Sequence, residues 1–371
     1  MTAEFTFNWP GNGFTIGDLQ IAVPIVQGGM GIGVSARNLA VAVAEQGGIG
    51  VMSAVGMGYL NIPCEIKPHE GDNRNITILR QEIRKARQQT KGVLGVNIMV
   101  AIHEFTETAA AAIEEGIDVI FAGAGLPLNL PSCLKESSNT KLVPIISSAK
   151  AAKLIAKRWM TKYNYVPDAF VLEGPKAGGH LGFSVEQLED PAYQLEALIP
   201  QVAEVIRELE EETGKRIPLI AGGGIFTGQD IHEAIQLGAD AVQMATRFVA
   251  TEECDADEAF KQAYVTCTKE DIGIISSPVG LPGRAIQNEF LSQAKAGRKN
   301  PKVCARHCIT TCKEEESPYC ISSALLNAVH GRLEEGFAFI GANGYRVDRI
   351  TTVPELIQEL ADGYAQSMAL K

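Results

Sequence analysis

The residues best suited to chemistry fall in five short patches, three of them rich in glycine. The first is Gln27-Gly28-Gly29-Met30-Gly31-Ile32-Gly33, directly after an apolar run. Glycine tolerates positive φ and lets the backbone approach a flat or anionic ligand closely. The patch fails as a dinucleotide fingerprint, because its spacing is not G-x-G-x-x-G and no acidic residue follows the next apolar run at the expected place. A tight strand-to-helix turn with no ligand is the other reading. The second patch runs Glu173-Gly174-Pro175-Lys176-Ala177-Gly178-Gly179-His180 and sets one of the six histidines where little bulk would separate it from a ligand. Imidazole there serves as general base or as a hydrogen-bond donor to developing charge; the alternative is a structural histidine. Glu173 and Lys176 are either polar contacts or solvated loop charges. The third and fourth patches, Gly222-Gly223-Gly224-Ile225 and Gln243-Met244-Ala245-Thr246-Arg247, each follow an apolar run. Bare amides, a hydroxyl at Thr246 and a cation at Arg247 suit a phosphate, which points to a phosphorylated cofactor. Loops that are merely glycine-rich are the alternative.

The fifth patch is Cys304, Cys308, Cys312 and Cys320, spaced C-x3-C-x3-C-x7-C with His307 alongside. It has neither the short pairs usual for zinc nor the ferredoxin spacing. On a helix the first three thiols would share one face. Ligands of an iron–sulfur cluster and plain reduced thiols both stay open, and no metal site is assigned.

The elements that must position these patches are legible as eight apolar runs, at 24–28, 49–55, 94–100, 119–123, 142–147, 169–173, 218–221 and 241–244. Each is nearly continuous rather than alternating, the pattern of strands covered on both faces. Helical spacing occupies 35–46, 76–89, 104–115, 149–163, 195–212, 228–237 and 256–264, and Gly47, Gly116, Gly214 and Gly238 stand where helix ends prefer glycine. The connection after 123 is left unassigned. Eight strand–helix units predict an α/β fold, a (β/α)8 TIM barrel, in preference to an open doubly wound sheet with fewer strands. The expected organisation is an N-terminal cover over 1–23, a barrel over 24–265, and a mostly helical C-terminal extension over 266–371 with helices near 322–334 and 353–366. Two long stretches, 56–75 and 182–193, follow strands and are candidate lids.

Composition narrows the partner. The 371 residues carry a formal charge of −11, so phosphate backbones and anionic lipid are poor partners, and a small-molecule substrate fits better. No run of eighteen apolar residues suggests a membrane span, and the first ten residues do not read as a secretory signal. Eight cysteines are too few for a disulfide scaffold and are expected to be reduced. Cytoplasmic location and, for self-association, a homodimer are the expectations.

Taken in order, Gln27-Gly28-Gly29-Met30, Gly95-Val96-Asn97, Ala177-Gly178-Gly179-His180-Leu181-Gly182, Gly222-Gly223-Gly224-Ile225 and Gln243-Met244-Ala245-Thr246-Arg247 resemble the nitronate monooxygenase family, formerly called 2-nitropropane dioxygenases. That family includes flavin-dependent enoyl-ACP reductases and NAD(P)H:quinone reductases. The resemblance covers residues 20–265 and implies an FMN-binding TIM barrel. It implies that Asn97, Glu173, Gly178, Gly223, Gly224, Gln243, Met244, Ala245 and Thr246 touch FMN, with Gly224 and the 243–246 run around its phosphate. Gly28, Gly29 and Met30 would lie against the isoalloxazine, and His180 would be the catalytic histidine. This chain departs from the family at Ala245, where glycine is usual, and at Lys176, where an acidic residue is common and a cation would favour an anionic substrate. The activity implied is oxidation of alkyl nitronates by O2 to a carbonyl compound and nitrite. The alternative is an NAD(P)H-dependent flavin reductase acting on an enoyl thioester or a quinone, and a non-catalytic sensor of a phosphorylated ligand is a third class.

Overall fold

The computed structural model describes residues 7–60, 73–301, 304 and 307–370. Eight parallel strands form its centre: β1 (Ile25–Gln27), β2 (Gly50–Ser53), β3 (Leu94–Met99), β4 (Val119–Gly123), β5 (Lys141–Ile146), β6 (Phe170–Glu173), β7 (Leu219–Gly222) and β8 (Ala241–Met244). Each pairs with the next, β8 pairs with β1, and the bridge Val26↔Ile49 closes the ring between β1 and β2. The fold is therefore the expected TIM barrel, and all eight apolar runs are strands. At the narrow β1–β2 seam, the buried Gln27 amide takes over part of the ladder. Its Oε1 accepts from the Val51 N–H at 3.0 Å and its Nε2 donates to the Gly28 carbonyl at 2.5 Å.

Because successive strand residues face opposite sides, each strand divides into an inward and an outward set. Outward residues such as Met52, Val96, Leu142, Leu172 and Val242 pack under the helices. Inward residues form two levels. The lower level, Val26, Val51, Phe121, Val143, Val171 and Ile220, is apolar and is sealed from below by Phe14, Ile16 and Ile21. These three come from an antiparallel hairpin, Phe14–Ile16 with Leu19–Ile21. Two residues further along those strands the inward positions become Gly28, Ser53, Gly123, Ile145, Glu173 and Gly222, with Asn97 of β3 and Gln243 of β8 also lining the mouth. The chain thus places its polar and glycine residues at the strands' C-terminal ends, where barrel enzymes do chemistry.

The outer layer contains α1 (Arg37–Glu45), α2 (Arg74–Gln89), α3 (Phe105–Glu114), α4 (Ala149–Tyr163), α5 (Leu195–Thr213), α6 (Gly228–Gln236), the short α7 (Thr246–Val249) and α8 (Glu258–Thr266). After β4 there is only a 3-10 turn, Leu130–Cys133, which explains why that connection shows no helical spacing. The C-terminal segment adds α9 (Glu289–Lys295), α10 (Ile321–Val329) and α11 (Val353–Ala369). α11 starts on a capping box, Thr352 with Glu355, and lies against α6 and α1. Gly228 permits this contact, since a Cβ there would sit 2.1 Å from the Leu360 carbonyl oxygen.

The second candidate lid is not one. Residues 182–193 form two 3-10 turns, Val185–Gln187 and Pro191–Tyr193, pinned by buried Phe183 and Leu188, and none of them lines the barrel-mouth cavity. Capping by Ser184 and Asp190 makes the stretch a fixed surface turn. Of the first candidate, residues 61–72 lie outside the described residues.

Candidate active site

A cavity opens at the C-terminal ends of the barrel strands. Its floor takes Ser53 from β2, Asn97 and Met99 from β3, Gly123 from β4, Glu173 from β6 and Gln243 from β8. One wall is the loop after β1, Gly28 to Ile32. That loop is held by Ser35, whose Oγ accepts from the Met30 N–H at 2.8 Å, while the Ser35 N–H donates to the Met30 carbonyl at 3.0 Å. Glycine is required here by space: a Cβ on Gly29 would lie 2.3 Å from Asn97 Cβ.

The opposite wall brings together segments far apart in sequence. Gly179–His180 is a two-residue strand that pairs with Pro282–Ile286, which in turn pairs with Ile272–Ser276. Buried Arg284 donates from one guanidinium nitrogen to the carbonyls of Pro175 (2.7 Å) and Ala177 (2.6 Å), fastening the loop after β6 to this sheet. Phe260, Tyr264, Leu325, Phe339, Ile340 and Gly341 complete the cover. The Tyr264 hydroxyl donates to the Phe339 carbonyl, and the Phe339 ring meets His180 edge-on at 5.0 Å.

His180 Nε2 lies 2.7 Å from Ser277 Oγ, which also accepts from the Val279 N–H at 3.2 Å. The hydroxyl keeps its proton and a second lone pair, so it serves either ring tautomer, accepting from Nε2–H or donating to Nε2. When the hydroxyl donates, the imidazole carries its proton on Nδ1. Desolvation pulls the His180 pKa down to about 4, so the ring is neutral at ordinary pH. Such a ring is a weak base and a good neutral hydrogen-bond donor. Desolvation also raises Glu173 to about 7, which keeps its carboxyl at the boundary between acid and carboxylate near neutral pH.

Of the residues singled out in the sequence, Gly28, Gly29, Met30, Asn97, Glu173, Gly178, His180, Gln243, Ala245 and Thr246 line this one cavity. Gly223, Gly224 and Met244 are not among the residues that line it. Met244 lies on the outward face of β8, buried among the helices, and its carbonyl accepts from the Gly28 N–H at 2.8 Å. Gly223 and Gly224, at φ +95° and +100°, turn the chain behind the 174–177 loop, and Asn343 Nδ2 donates to the Gly224 carbonyl at 2.6 Å. Exposed Lys176 packs over Gly224 and is not among the residues that line the cavity. Among the described lining residues there is no lysine or arginine.

Ser53, Ser277, Tyr264 and Phe339 are lining or supporting residues that sequence reasoning missed. Ser53 carried a signal, since it is the polar end of an apolar run. Ser277 and Phe339 come from beyond the strand–helix rhythm and Tyr264 from its last helix, and no local pattern relates them to the barrel mouth.

The donors present fit the FMN that the resemblance implies. Asn97 and Gln243 offer amide donors and acceptors, and Glu173 offers a carboxyl able to carry its proton. Thr246 Oγ1 accepts from the Gly341 N–H at 3.1 Å and keeps its own proton to donate. A Cβ on Gly179 would meet nothing within 4 Å, so the loop beside His180 leaves open room. Gly178 presses on Ile340, where a Cβ would come within 2.5 Å of backbone.

Comparison with known proteins agrees with this geometry. The family model for nitronate monooxygenase matches residues 13–363. A probable nitronate monooxygenase of Staphylococcus aureus is 27% identical over 311 residues, spanning 74% of this chain and 78% of that protein. A (3aS,4S,5R,7aS)-5-hydroxy-7a-methyl-1-oxo-octahydro-1H-indene-4-carboxyl-CoA dehydrogenase of Mycobacterium tuberculosis is 27% identical over 276 residues. That match spans 74% of this chain and 66%, just under two thirds, of the relative's length. Among solved structures, FabK from Thermotoga maritima superposes with a TM-score of 0.72 at 28% identity, covering 94% of this chain and 95% of that one. With a family match running from the floor hairpin into the last helix, over a barrel whose mouth gathers the motif residues, the chain belongs to the nitronate monooxygenase family and is a flavin-dependent oxidoreductase.

Proposed function

We propose that the barrel-mouth cavity binds FMN and oxidises a small alkyl nitronate with O2 to a carbonyl compound and nitrite. FMN, when bound, supplies the redox chemistry. Asn97, Glu173 and Gln243 would hold its ring, and Ala245, Thr246 and the neighbouring backbone its phosphate. Gly28, Gly29 and Met30 form the wall against which the ring would rest. His180 would donate a hydrogen bond to an oxygen of the nitro group, while Phe339, Ile340 and Leu325 exclude water from the reacting face. The observation that carries this reading is the neutral His180 held at 2.7 Å by Ser277. A ring with a pKa of about 4 is poorly suited to removing an α-proton, which favours the preformed nitronate over the neutral nitroalkane as substrate.

A second reading has its own observation. Among the described residues the lining has no lysine or arginine to meet an anion, which favours an uncharged conjugated carbonyl compound reduced at the expense of NAD(P)H. The same histidine would then donate to the carbonyl oxygen of an enoyl thioester or quinone. Anaerobic mixing separates the two. Under the nitronate reading the bound flavin bleaches with an alkyl nitronate and stays yellow with NADH or NADPH, and His180→Asn slows bleaching about 100-fold while flavin remains bound. Bleaching by a reduced nicotinamide alone would overturn the nitronate reading. Unchanged rates in His180→Asn with either partner would remove the histidine from the chemistry.

A further inference from the structure

The cysteine cluster that the sequence left undecided converges in space. Cys304, Cys308, Cys312 and Cys320 line a second cavity, joined by His103 and His307. Helical spacing is not what gathers them. Described residues on either side of Ile309 form a bridge and turns: Ile309 pairs with Ile102, the Thr310 N–H donates to the Ala101 carbonyl at 2.8 Å, and the His103 N–H donates to the Cys308 carbonyl at 3.3 Å. The run Ile309-Thr310-Thr311 is β-branched throughout, which favours such extended pairing over helix. Cys320 joins from the N-cap position of α10.

Four thiols around one space are a soft ligand set that selects zinc or an iron–sulfur cluster. The two differ in size. A single tetrahedral zinc draws its sulfurs to about 3.8 Å from one another, the edge set by bonds of about 2.3 Å. Among the described residues no three cysteine, histidine or acidic side chains are grouped to hold one ion. The thiols instead surround a cavity of about 100 Å3, several times the ~10–15 Å3 that one water-sized sphere occupies. That is room for a polynuclear group. Cys308 Sγ also lies 2.9 Å from Ser322 Oγ, a hydroxyl placed to hydrogen-bond a ligand sulfur.

We propose that Cys304, Cys308, Cys312 and Cys320 ligate an iron–sulfur cluster beside the catalytic cavity. A third cavity connects the two regions: it shares Ile32 and Val55 with the barrel mouth and His103, His307 and Cys308 with the cysteine cavity. α10 bridges them as well, with Ile321 facing the cysteines and Leu325 the barrel mouth. Four helical residues separate these two, about 6 Å along the axis. The assignment rests on the cysteine geometry alone and stands or falls independently of which substrate the flavin serves.

The test is iron and acid-labile sulfide analysis of the full chain, purified anaerobically and again after reconstitution with ferrous iron and sulfide. About two to four of each per chain are expected, because four cysteines serve either cluster size, with a paramagnetic signal on dithionite reduction. Replacing Cys312 or Cys320 by serine should cut iron and sulfide at least fivefold, and Cys133→Ser, at a thiol that does not line the cavity, should not. If the cysteine variants lose their far-UV dichroism, the wild-type analysis decides. Stoichiometric zinc without sulfide, or neither metal nor sulfide after reconstitution, overturns the proposal.

Discussion

Glu173 and His180 line one cavity, and the same desolvation moves their proton affinities in opposite directions, because burial favours whichever form is neutral. Folded Glu173 holds its proton up to about pH 7, whereas the unfolded chain releases it near 4.5. Between those values the folded state binds more protons, so this group's contribution to stability falls as pH rises through the window. His180 contributes with the opposite sign between about 4 and 6.5, and does so equally in wild type and in a Glu173 variant. Glu173→Gln should therefore gain on wild type by about 3 kcal/mol between pH 4.5 and pH 8, read from urea unfolding of the flavin-free chain. A difference independent of pH would mean that the carboxylate stays hydrated. His180 was legible in the sequence because a glycine-rich loop after a strand leaves a side chain bare. Its orienting partner was not, since Ser277 lies 97 residues away and a hydroxyl in a turn has no distinguishing signature.

At the level of elements, the strand Pro282–Ile286 ties two parts of the site together. It backs His180, and through Arg284 it clamps the Pro175 and Ala177 carbonyls. Burial lowers the guanidinium's proton affinity without discharging it, so the two carbonyls serve as acceptors for a desolvated cation. Arg284→Met keeps much of the bulk and leaves both carbonyls without this donor. A loss of about 2–4 kcal/mol in urea unfolding is expected, together with faster loss of flavin on dialysis. Stability within 0.5 kcal/mol or so of wild type would show the clamp to be dispensable. Periodicity located helices and strands well because long apolar faces repeat. It could not place the 272–286 hairpin, whose strands mix exposed and buried positions without a continuous apolar run and include Pro282 and Gly283.

For the whole molecule, the C-terminal segment returns to the barrel at both ends of its function: over the mouth, and as α11 along α6 and α1. Leu360 is 1% exposed at that contact. Leu360→Ala should cost about 2–5 kcal/mol by leaving a cavity there, with the flavin spectrum of the folded fraction unchanged; a loss of flavin without loss of stability would contradict this division of labour. The sequence by itself determined the count of buried strands, the barrel they close, and the glycine patches at their ends, because those depend on runs of neighbouring residues. It did not determine which strand residues point inward, since runs apolar on both faces conceal the alternation. Only the tertiary structure decided that Met244 faces the helices, that Lys176 stands outside the cavity, and that four cysteines meet around one space. Each of these depends on side chains brought together by ring closure and by the return of the C-terminal segment. No spacing along the chain encodes such contacts.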